Sequence, residues 1–348
     1  MISTFFHRWE QRLAGISRAD RLVRPFDWGL DWLPQNGAAP PEVPLDAVRA
    51  WVNTVMEDTD AFFTPAPTTD YTFTPAAAVT RGEGKGEAGT LRFPSALETP
   101  HPENNVVQAR FFPAKDKRRA IVVMPQWNSD AGGHIGLSQL VARLGISALR
   151  LSKPYHDVRM PPELTRADYI VSANVVRTLQ VCRQAVLDAR RALWWLRDQG
   201  YERLGLLGTS LGSCLSMLTA AHEPLVRAQA LNHVSPFFAD VVWRGVSTSH
   251  VREGLDGHVD LDTLRELWRP ISPWSYLERT HGKKTLLVYA KYDLTFPVDL
   301  SLHLINELRR RSVPIEVAVL PCGHYSTGEA PFKFLDAYYL ASFLRRNL

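Results

Sequence analysis

The chain has 348 residues, of which 45% are hydrophobic and 22% are charged, and its net charge is +4. This is the composition of an ordinary globular protein, and so mild and dispersed a positive charge argues against a nucleic-acid partner. Three cysteines fit a reducing compartment better than a disulfide framework. Because no apolar run approaches the roughly 18 residues of a membrane span and no secretory stretch opens the chain, we expect a soluble cytoplasmic protein.

Residues 1–89 differ from the rest and predict an N-terminal extension packed on the core. Apolar residues recur at helical spacing over the first sixteen positions, which predicts an amphipathic helix. We expect this helix to bury Phe5, Phe6, Trp9 and Leu13 against the main domain. Membrane-surface contact through residues 1–24 is the alternative that the pattern favours less. A second helix is expected over 45–56, and the glycine-rich residues 80–90 predict a polar turn between strands.

From about residue 90 the pattern changes to alternating strands and helices. Short apolar runs that end in turn residues predict strands, and longer runs with apolar residues every three or four positions predict helices. The expected strands are 89–99, 104–114, 118–125, 146–152, 203–208, 228–235, 285–293 and 315–324, and the expected helices are 135–144, 173–199, 298–311 and 331–346. Such alternation predicts an α/β fold with a doubly wound, mostly parallel sheet.

Three strands of this predicted sheet end in residues that can carry nucleophilic catalysis. Ser210 follows 203–208 within the pentapeptide GTSLG, Asp293 follows 285–292, and His324 follows 315–323. Active sites of doubly wound sheets lie beyond the carboxyl ends of the strands, so we expect these three side chains at one edge. The small neighbours Gly208 and Gly212 suit a sharp strand-to-helix turn that presents a nucleophile.

The order Ser, Asp, His over residues 90–348 resembles the α/β-hydrolase superfamily. The resemblance implies that Ser210 is the nucleophile, that Asp293 is the acid and that His324 is the base. Asp299 and Asp240 are rival acids, although Asp299 falls inside a predicted helix.

The oxyanion donors are assigned less completely. The backbone N–H of Leu211, directly after the nucleophile, is the first expected donor, and Gln126 or Trp127 in the turn after AIVVMP supplies the second. Many esterases have His-Gly or a glycine run at this place, whereas this chain has PQWNSDAGGH. The identity of the second donor therefore stays open.

An insertion at about 237–280, between two predicted strands, is expected to form a lid. Its aromatic residues favour an apolar acyl or aryl group in the pocket, but they equally fit a small core of the lid itself. Five further residues are expected to line the substrate pocket: Tyr155, His156, His233, Phe237 and Phe238. His233 also fits a core position. The cysteine and histidine spacing predicts no metal site, and no cofactor is expected.

Together these features predict a serine hydrolase that cleaves a small-molecule carboxylic ester through an acyl-enzyme. An acyltransferase or a thioesterase would use the same three residues, and a non-catalytic hydrolase-like binding protein is the alternative from another class. The sequence does not determine the oligomeric state.

Overall fold

The structure is a computed structural model that describes residues 2–17, 20–34, 43–76 and 88–348. An N-terminal group of helices precedes a region in which strands and helices alternate. Within the described ranges the regular elements are, in chain order, α1 (Ile2–Ile16), α2 (Pro44–Glu57), α3 (Thr59–Phe63), β1 (Thr72–Pro75), β2 (Gly89–Pro94), β3 (Val106–Phe112), β4 (Arg119–Met124), α4 (Ile135–Arg143), β5 (Ser147–Leu151), α5 (Val175–Asp198), β6 (Arg203–Thr209), α6 (Leu211–His222), β7 (Val226–Asn232), α7 (Phe238–Arg244), α8 (Ser249–Leu255), α9 (Leu261–Leu267), β8 (Lys284–Ala290), α10 (Val298–Arg310), β9 (Ile315–Leu320) and α11 (Phe332–Asn347).

The nine strands of the described ranges form one sheet in the order β1-β2-β3-β5-β4-β6-β7-β8-β9. The pairs β1–β2, β2–β3 and β3–β5 are antiparallel. The pairs β5–β4, β4–β6, β6–β7, β7–β8 and β8–β9 are parallel. The predicted α/β class with a mostly parallel sheet is therefore confirmed. The carboxyl ends of β4, β6, β7, β8 and β9 lie along one edge, which is where the sequence placed the site.

The central strands are apolar because both of their faces are covered. In β4, Ile121 and Val123 pack with side chains of α4 and α11, whereas Val122 and Met124 pack with α5 and α6 on the other face. All four are fully buried. This arrangement explains why the strand reads as an unbroken apolar run rather than as an alternating one.

The N-terminal helix α1 forms where periodicity predicts it, but its buried face is different. Phe5 was expected to be covered and is 62% exposed, whereas Glu10 and Ala14 are buried. Phe6 and Trp9 are half-buried, and the Phe6 ring stacks on Tyr292 with centroids 4.6 Å apart. The helix is rotated from the predicted orientation because its contact with the domain is made through the carboxylate of Glu10 as well as through apolar side chains.

The proposed division at residue 89 coincides with the first residue of β2, and β1 on its N-terminal side pairs with β2. Most of the glycine-rich stretch predicted as a polar turn lies outside the described residues. In the part of the chain that the structure describes, no helix has both the length and the apolar character that crossing a membrane demands.

A buried ion pair fixes the segment that comes after β5. The Arg159 guanidinium lies 2.9 Å from the Asp188 carboxylate of α5, and both side chains are fully buried. Arg159 also donates to the carbonyl oxygens of Asn104 and Ser152. Asp188 accepts from the Ser95 hydroxyl as well. The segment is thus held against α5 by charge and hydrogen bonds, and it in turn supports the candidate active site.

Replacing Asp188 by alanine is therefore expected to destabilise the fold strongly. Removal of one partner leaves the Arg159 charge buried without compensation, which costs about 3–5 kcal/mol. Asp198→Ala is the matched control because Asp198 lies on the same helix in an exposed pair with Arg197. We expect that control to change the free energy of unfolding by less than about 0.5 kcal/mol. Urea unfolding of the two variants measures the difference, and equal effects would contradict this interpretation.

Candidate active site

Ser210 lies on a strained turn between β6 and α6. Its backbone φ of 56° and ψ of −122° are rare for a residue with a side chain, and such strain concentrates at functional sites. A Cβ on Gly208 would lie 2.4 Å from the carbonyl oxygen of Gly212. One on Gly212 would lie 2.0 Å from that of Met124. Both glycines are required because strand, helix and the end of β4 approach one another at backbone distance.

Asp293 occupies the turn after β8 and is buried. Its Oδ1 accepts hydrogen bonds from the backbone N–H groups of Thr295 at 2.8 Å and Phe296 at 2.7 Å. Burial opposes ionisation, but the charge of His324 and hydrogen bonds from His233 and His324 outweigh it and hold the pKa of Asp293 well below its usual range. The carboxylate is therefore charged at neutral pH and fixed in orientation.

His324 follows β9, and its Nδ1 lies 3.0 Å from Oδ2 of Asp293. Its ring stacks on Phe296 with centroids 5.4 Å apart and planes 3° from parallel. Burial lowers the pKa of the imidazole, but the negative charges of Asp293 and Glu10 outweigh that effect and raise the pKa above its usual value. His324 thus has the geometry of a base oriented by a carboxylate, and it lines the same cavity as Ser210.

His233, at the end of β7, is bonded to the same carboxylate oxygen. Its Nδ1 lies 2.8 Å from Oδ2 of Asp293, and the rings of His233 and His324 are 4.4 Å apart between centroids. Burial and the positive charge of His324 lower the pKa of His233, so it is neutral and donates an N–H to Asp293. His233 also lines the cavity, as the sequence suggested. Its bond to the acid was not predicted, although β7 and β8 are neighbours in the sheet.

The expected oxyanion donors lie beside the Ser210 turn. The backbone N–H groups of Leu211, Gln126 and Trp127 have no hydrogen-bond partner in the described part of the chain. All three residues line the cavity. Because Gly212 lies against the carbonyl oxygens of Met124 and Pro125, the turn after β4 is held next to the start of α6. Either Gln126 or Trp127 therefore remains the candidate for the second donor.

The turn after β4 is held by polar groups of the segment after β5. The Lys153 ammonium donates to the carbonyl oxygen of Gln126 at 3.0 Å, and His156 Nε2 accepts from the backbone N–H of Asn128 at 3.2 Å. The Trp127 indole N–H donates to the carbonyl oxygen of Ala167 at 2.9 Å. Burial lowers the pKa of Lys153 to about 7 and that of His156 well below its usual value. Sequence analysis missed Lys153, since a lone lysine after a strand carries no distinguishing signal.

These side chains surround a cavity of about 1240 Å³. His156 and Phe238 line it, as predicted, but Tyr155 and Phe237 do not. Tyr155 is fully buried, with its hydroxyl 3.0 Å from Nδ1 of His101. Phe237 instead packs on the ring of Trp274, with centroids 5.0 Å apart. These two assignments were wrong because neighbouring residues in a loop point to opposite sides.

Most aromatic residues of the segment 237–280 are packed away from the cavity. Phe238 lines it together with Val241 and Val242, whereas Trp268 and Tyr276 belong to the hydrophobic core. Both side chains pack in the large core that α5 and α6 also form, so neither a pocket lining nor a core confined to the segment accounts for them. The apolar lining of the cavity comes from α7, from α4 and from other elements, among them Phe296 and Phe334.

The rival acids have other partners. Asp299 is exposed and forms a bidentate pair with Arg244 at 2.8 Å, and buried Asp240 pairs with Arg265 at 2.6 Å. Asp293 is therefore the acid that reaches His324. Donor atoms of His233, Asp293 and His324 lie within 4.8 Å of one another, as a metal site would require. Asp293 Oδ2 already accepts hydrogen bonds from both imidazoles there.

Comparison with solved structures identifies the architecture. The chain resembles the Pyrococcus horikoshii acylaminoacyl peptidase with a TM-score of 0.60 at 16% identity, covering 75% of this chain and 42% of the peptidase. Acetyl xylan esterase 1 from Thermoanaerobacterium sp. JW/SL YS485 gives a TM-score of 0.58 at 14% identity, covering 91% of this chain and 99% of the esterase. A Pyrococcus furiosus esterase gives 0.52 at 14% identity, with 78% and 97% covered.

A scan against protein families and a search of curated proteins give no match. The structural likeness is strong enough to establish the fold: this chain has the α/β-hydrolase fold, as the order of its strand-end residues suggested.

The close approach at the Ser210 turn gives a direct test of the site's construction. We expect Gly212→Ala to destabilise the protein by about 1–3 kcal/mol, because the new methyl group overlaps the backbone of Met124 and cannot be accommodated by a rotamer change. Gly15→Ala in α1 is the control, since a Cβ there meets no atom within 4 Å. It is expected to be neutral or stabilising. Thermal melts of both variants distinguish them, and a harmless Gly212→Ala would contradict the packing described.

Proposed function

We propose that the protein is a serine hydrolase that cleaves a carboxylic ester through an acyl-enzyme. One observation carries the proposal: Ser210, on a strained turn, lines the same cavity as a histidine bonded to a buried, charged aspartate. A serine hydroxyl is a weak nucleophile and requires a base to accept its proton. His324 is that base.

In the proposed first step, Ser210 Oγ attacks the ester carbonyl carbon while Nε2 of His324 accepts the hydroxyl proton. Asp293 keeps the proton of His324 on Nδ1 and stabilises the imidazolium that forms. The N–H of Leu211, with that of Gln126 or Trp127, stabilises the oxyanion of the tetrahedral intermediate. His324 then returns its proton to the leaving alcohol, and the acyl group remains on Ser210. In the second step, a water molecule attacks the carbonyl carbon of the acyl-enzyme while His324 accepts its proton. His324 then returns the proton to Ser210 Oγ, and the carboxylic acid is released.

The lining of the cavity supports a substrate with an apolar acyl group. Phe238, Val241 and Val242 come from the segment 237–280, which acts as a lid in this proposal, and α4 contributes Leu137 and Leu140. Apolar walls with a few converging polar groups are the usual composition of a small-molecule site. Thioester cleavage and acyl transfer remain alternatives on the same three residues. Peptide cleavage is a further one, because the structural neighbours include peptidases.

The proposal predicts that Ser210→Ala abolishes covalent labelling by a fluorophosphonate and abolishes ester turnover. Loss of the nucleophile costs about six orders of magnitude in kcat in a comparable triad. Ser342→Ala, on α11 and outside the cavity, is the control and should label normally. A panel of esters of increasing chain length, with matched thioesters and anilides, then identifies the bond cleaved. Labelling of the folded Ser210→Ala protein at the wild-type rate would refute the assignment.

The acid assignment predicts different outcomes for two aspartates. Asp293→Asn should lower kcat by up to about 10⁴-fold, because an amide no longer selects the correct tautomer of His324. Asp299→Asn should have little effect, since that side chain is exposed and bonded to Arg244. Steady-state kinetics on the best ester of the panel, with melting temperatures as a folding control, provides the comparison. The reverse pattern would show that the acid is misassigned.

A further inference from the structure

The least expected feature near the site is a buried glutamate from the N-terminal helix. Glu10 of α1 is fully buried. Its Oε2 accepts from the backbone N–H of Tyr325 at 2.8 Å, and its Oε1 accepts from the N–H of Ser326 at 2.9 Å and from the Ser326 hydroxyl at 2.6 Å. Among the described residues no cation forms an ion pair with it. The residues that bind this carboxylate directly follow His324 in the chain.

The loop around His324 is shaped to admit this carboxylate. A Cβ on Gly323 would lie 2.2 Å from the Cδ of Glu10, so a glycine is needed directly before His324. The N–H of Gly323 donates to the Ser326 hydroxyl at 2.9 Å, and that hydroxyl donates to Glu10. The carboxylate therefore joins a hydrogen-bonded network that extends from one residue before His324 to two residues after it.

The same carboxylate also acts on the charge of the imidazole. The groups that face His324 are Asp293 after β8, neutral His233 after β7, the Phe296 ring, Tyr325 and Glu10. Of these, Asp293 and then Glu10 favour the protonated imidazole electrostatically. Arg21, the nearby cation of the N-terminal segment, is bonded to the Tyr325 hydroxyl at 2.7 Å instead.

We propose that Glu10 is a positioning residue, through which the N-terminal helix fixes the histidine loop and stabilises the His324 imidazolium formed during attack. The inference rests on the proposed function of Ser210, Asp293 and His324. An apolar contact would hold α1 equally well, as the stacking of Phe6 on Tyr292 illustrates. A buried carboxylate is costly unless its hydrogen bonds and charge are used, and here both are directed at the residues that carry His324.

The test measures the rate of fluorophosphonate labelling of Ser210 against pH in the full chain. Labelling requires neutral His324, so the rate rises as the pH passes the pKa of that imidazole. In Glu10→Gln, loss of the negative charge moves this midpoint to lower pH. The plateau of the labelling rate at high pH should fall about 10- to 100-fold, because the loop no longer holds His324 in the position from which it accepts the proton of Ser210. Glu10→Ala should show the larger loss.

Trp9→Ala is the matched control, because Trp9 lies on the same helix and packs on Phe332, and in the described part of the chain it makes no hydrogen bond or ring contact with residues 323–326. It should lower the melting temperature without moving the labelling midpoint or the plateau. A role for Glu10 in anchoring the helix alone would give the same result for Glu10→Gln and Trp9→Ala.

Two outcomes separate the inference from the function on which it rests. Absence of labelling in the wild-type protein overturns the proposed function. Labelling of folded Glu10→Gln at the wild-type rate and midpoint overturns the role of Glu10 alone. Where Glu10→Gln does not fold, Ser326→Ala decides, since it removes the two hydrogen bonds of the Ser326 hydroxyl, to Gly323 and to Glu10, and keeps the charge. For Ser326→Ala the proposal requires a loss of labelling rate smaller than the one expected for Glu10→Gln, with the pH midpoint unchanged. A wild-type labelling rate in Ser326→Ala would contradict the proposal.

Discussion

The close approach of three backbone segments at the Ser210 turn is the constraint on which the site depends. Gly208 lies against Gly212, and Gly212 lies against the carbonyl oxygens of Met124 and Pro125, with no space for a Cβ at either glycine. This contact forces Ser210 to a positive φ and places the N–H of Leu211 beside the turn after β4. The position of Ser210 and that of the expected oxyanion donors are thus consequences of one packing arrangement at the edge of the sheet.

Around this arrangement, buried polar groups hold the loops in place. Lys153 holds the turn after β4, Arg159 holds the segment from which Lys153 comes, and Glu10 holds the loop of His324. A hydrogen bond has a direction and a fixed length, so a loop held in this way keeps its backbone groups aimed at one point. Each such group costs desolvation free energy, which is offset by the bonds it makes. These hydrogen bonds therefore preorganise the site.

The sheet and the order of its functional residues could be predicted because both depend on periodicity. Unbroken apolar runs marked the buried strands, and Ser210, Asp293 and His324 were found because each stands just past the carboxyl end of a strand. Side-chain directions in loops could not be predicted this way. Tyr155 and Phe237 were assigned to the wrong side, and the bond from His233 to Asp293 depends on a positive φ of 57° at His233. No repeat in the sequence signals such a backbone angle.

The N-terminal helix is a second case in which local sequence patterns did not indicate a contact of the site. Helical periodicity located α1 correctly but gave no sign that Glu10 would be buried, because charged residues are almost always exposed unless they are paired. Its partners are backbone N–H groups some 315 positions away in the chain, which no local pattern contains. The long-range contacts that fix the base were therefore the part of the site that sequence reasoning missed.

A crystal structure of the fluorophosphonate-treated protein would show whether Ser210, the turn after β4 and His324 form one catalytic centre. We expect phosphorus bonded to Ser210 Oγ, with the phosphonyl oxygen accepting hydrogen bonds from the N–H of Leu211 and from that of Gln126 or Trp127. We also expect His324 to be bonded through Nδ1 to Asp293. An adduct on another residue, or a phosphonyl oxygen directed away from both N–H groups, would contradict this expectation.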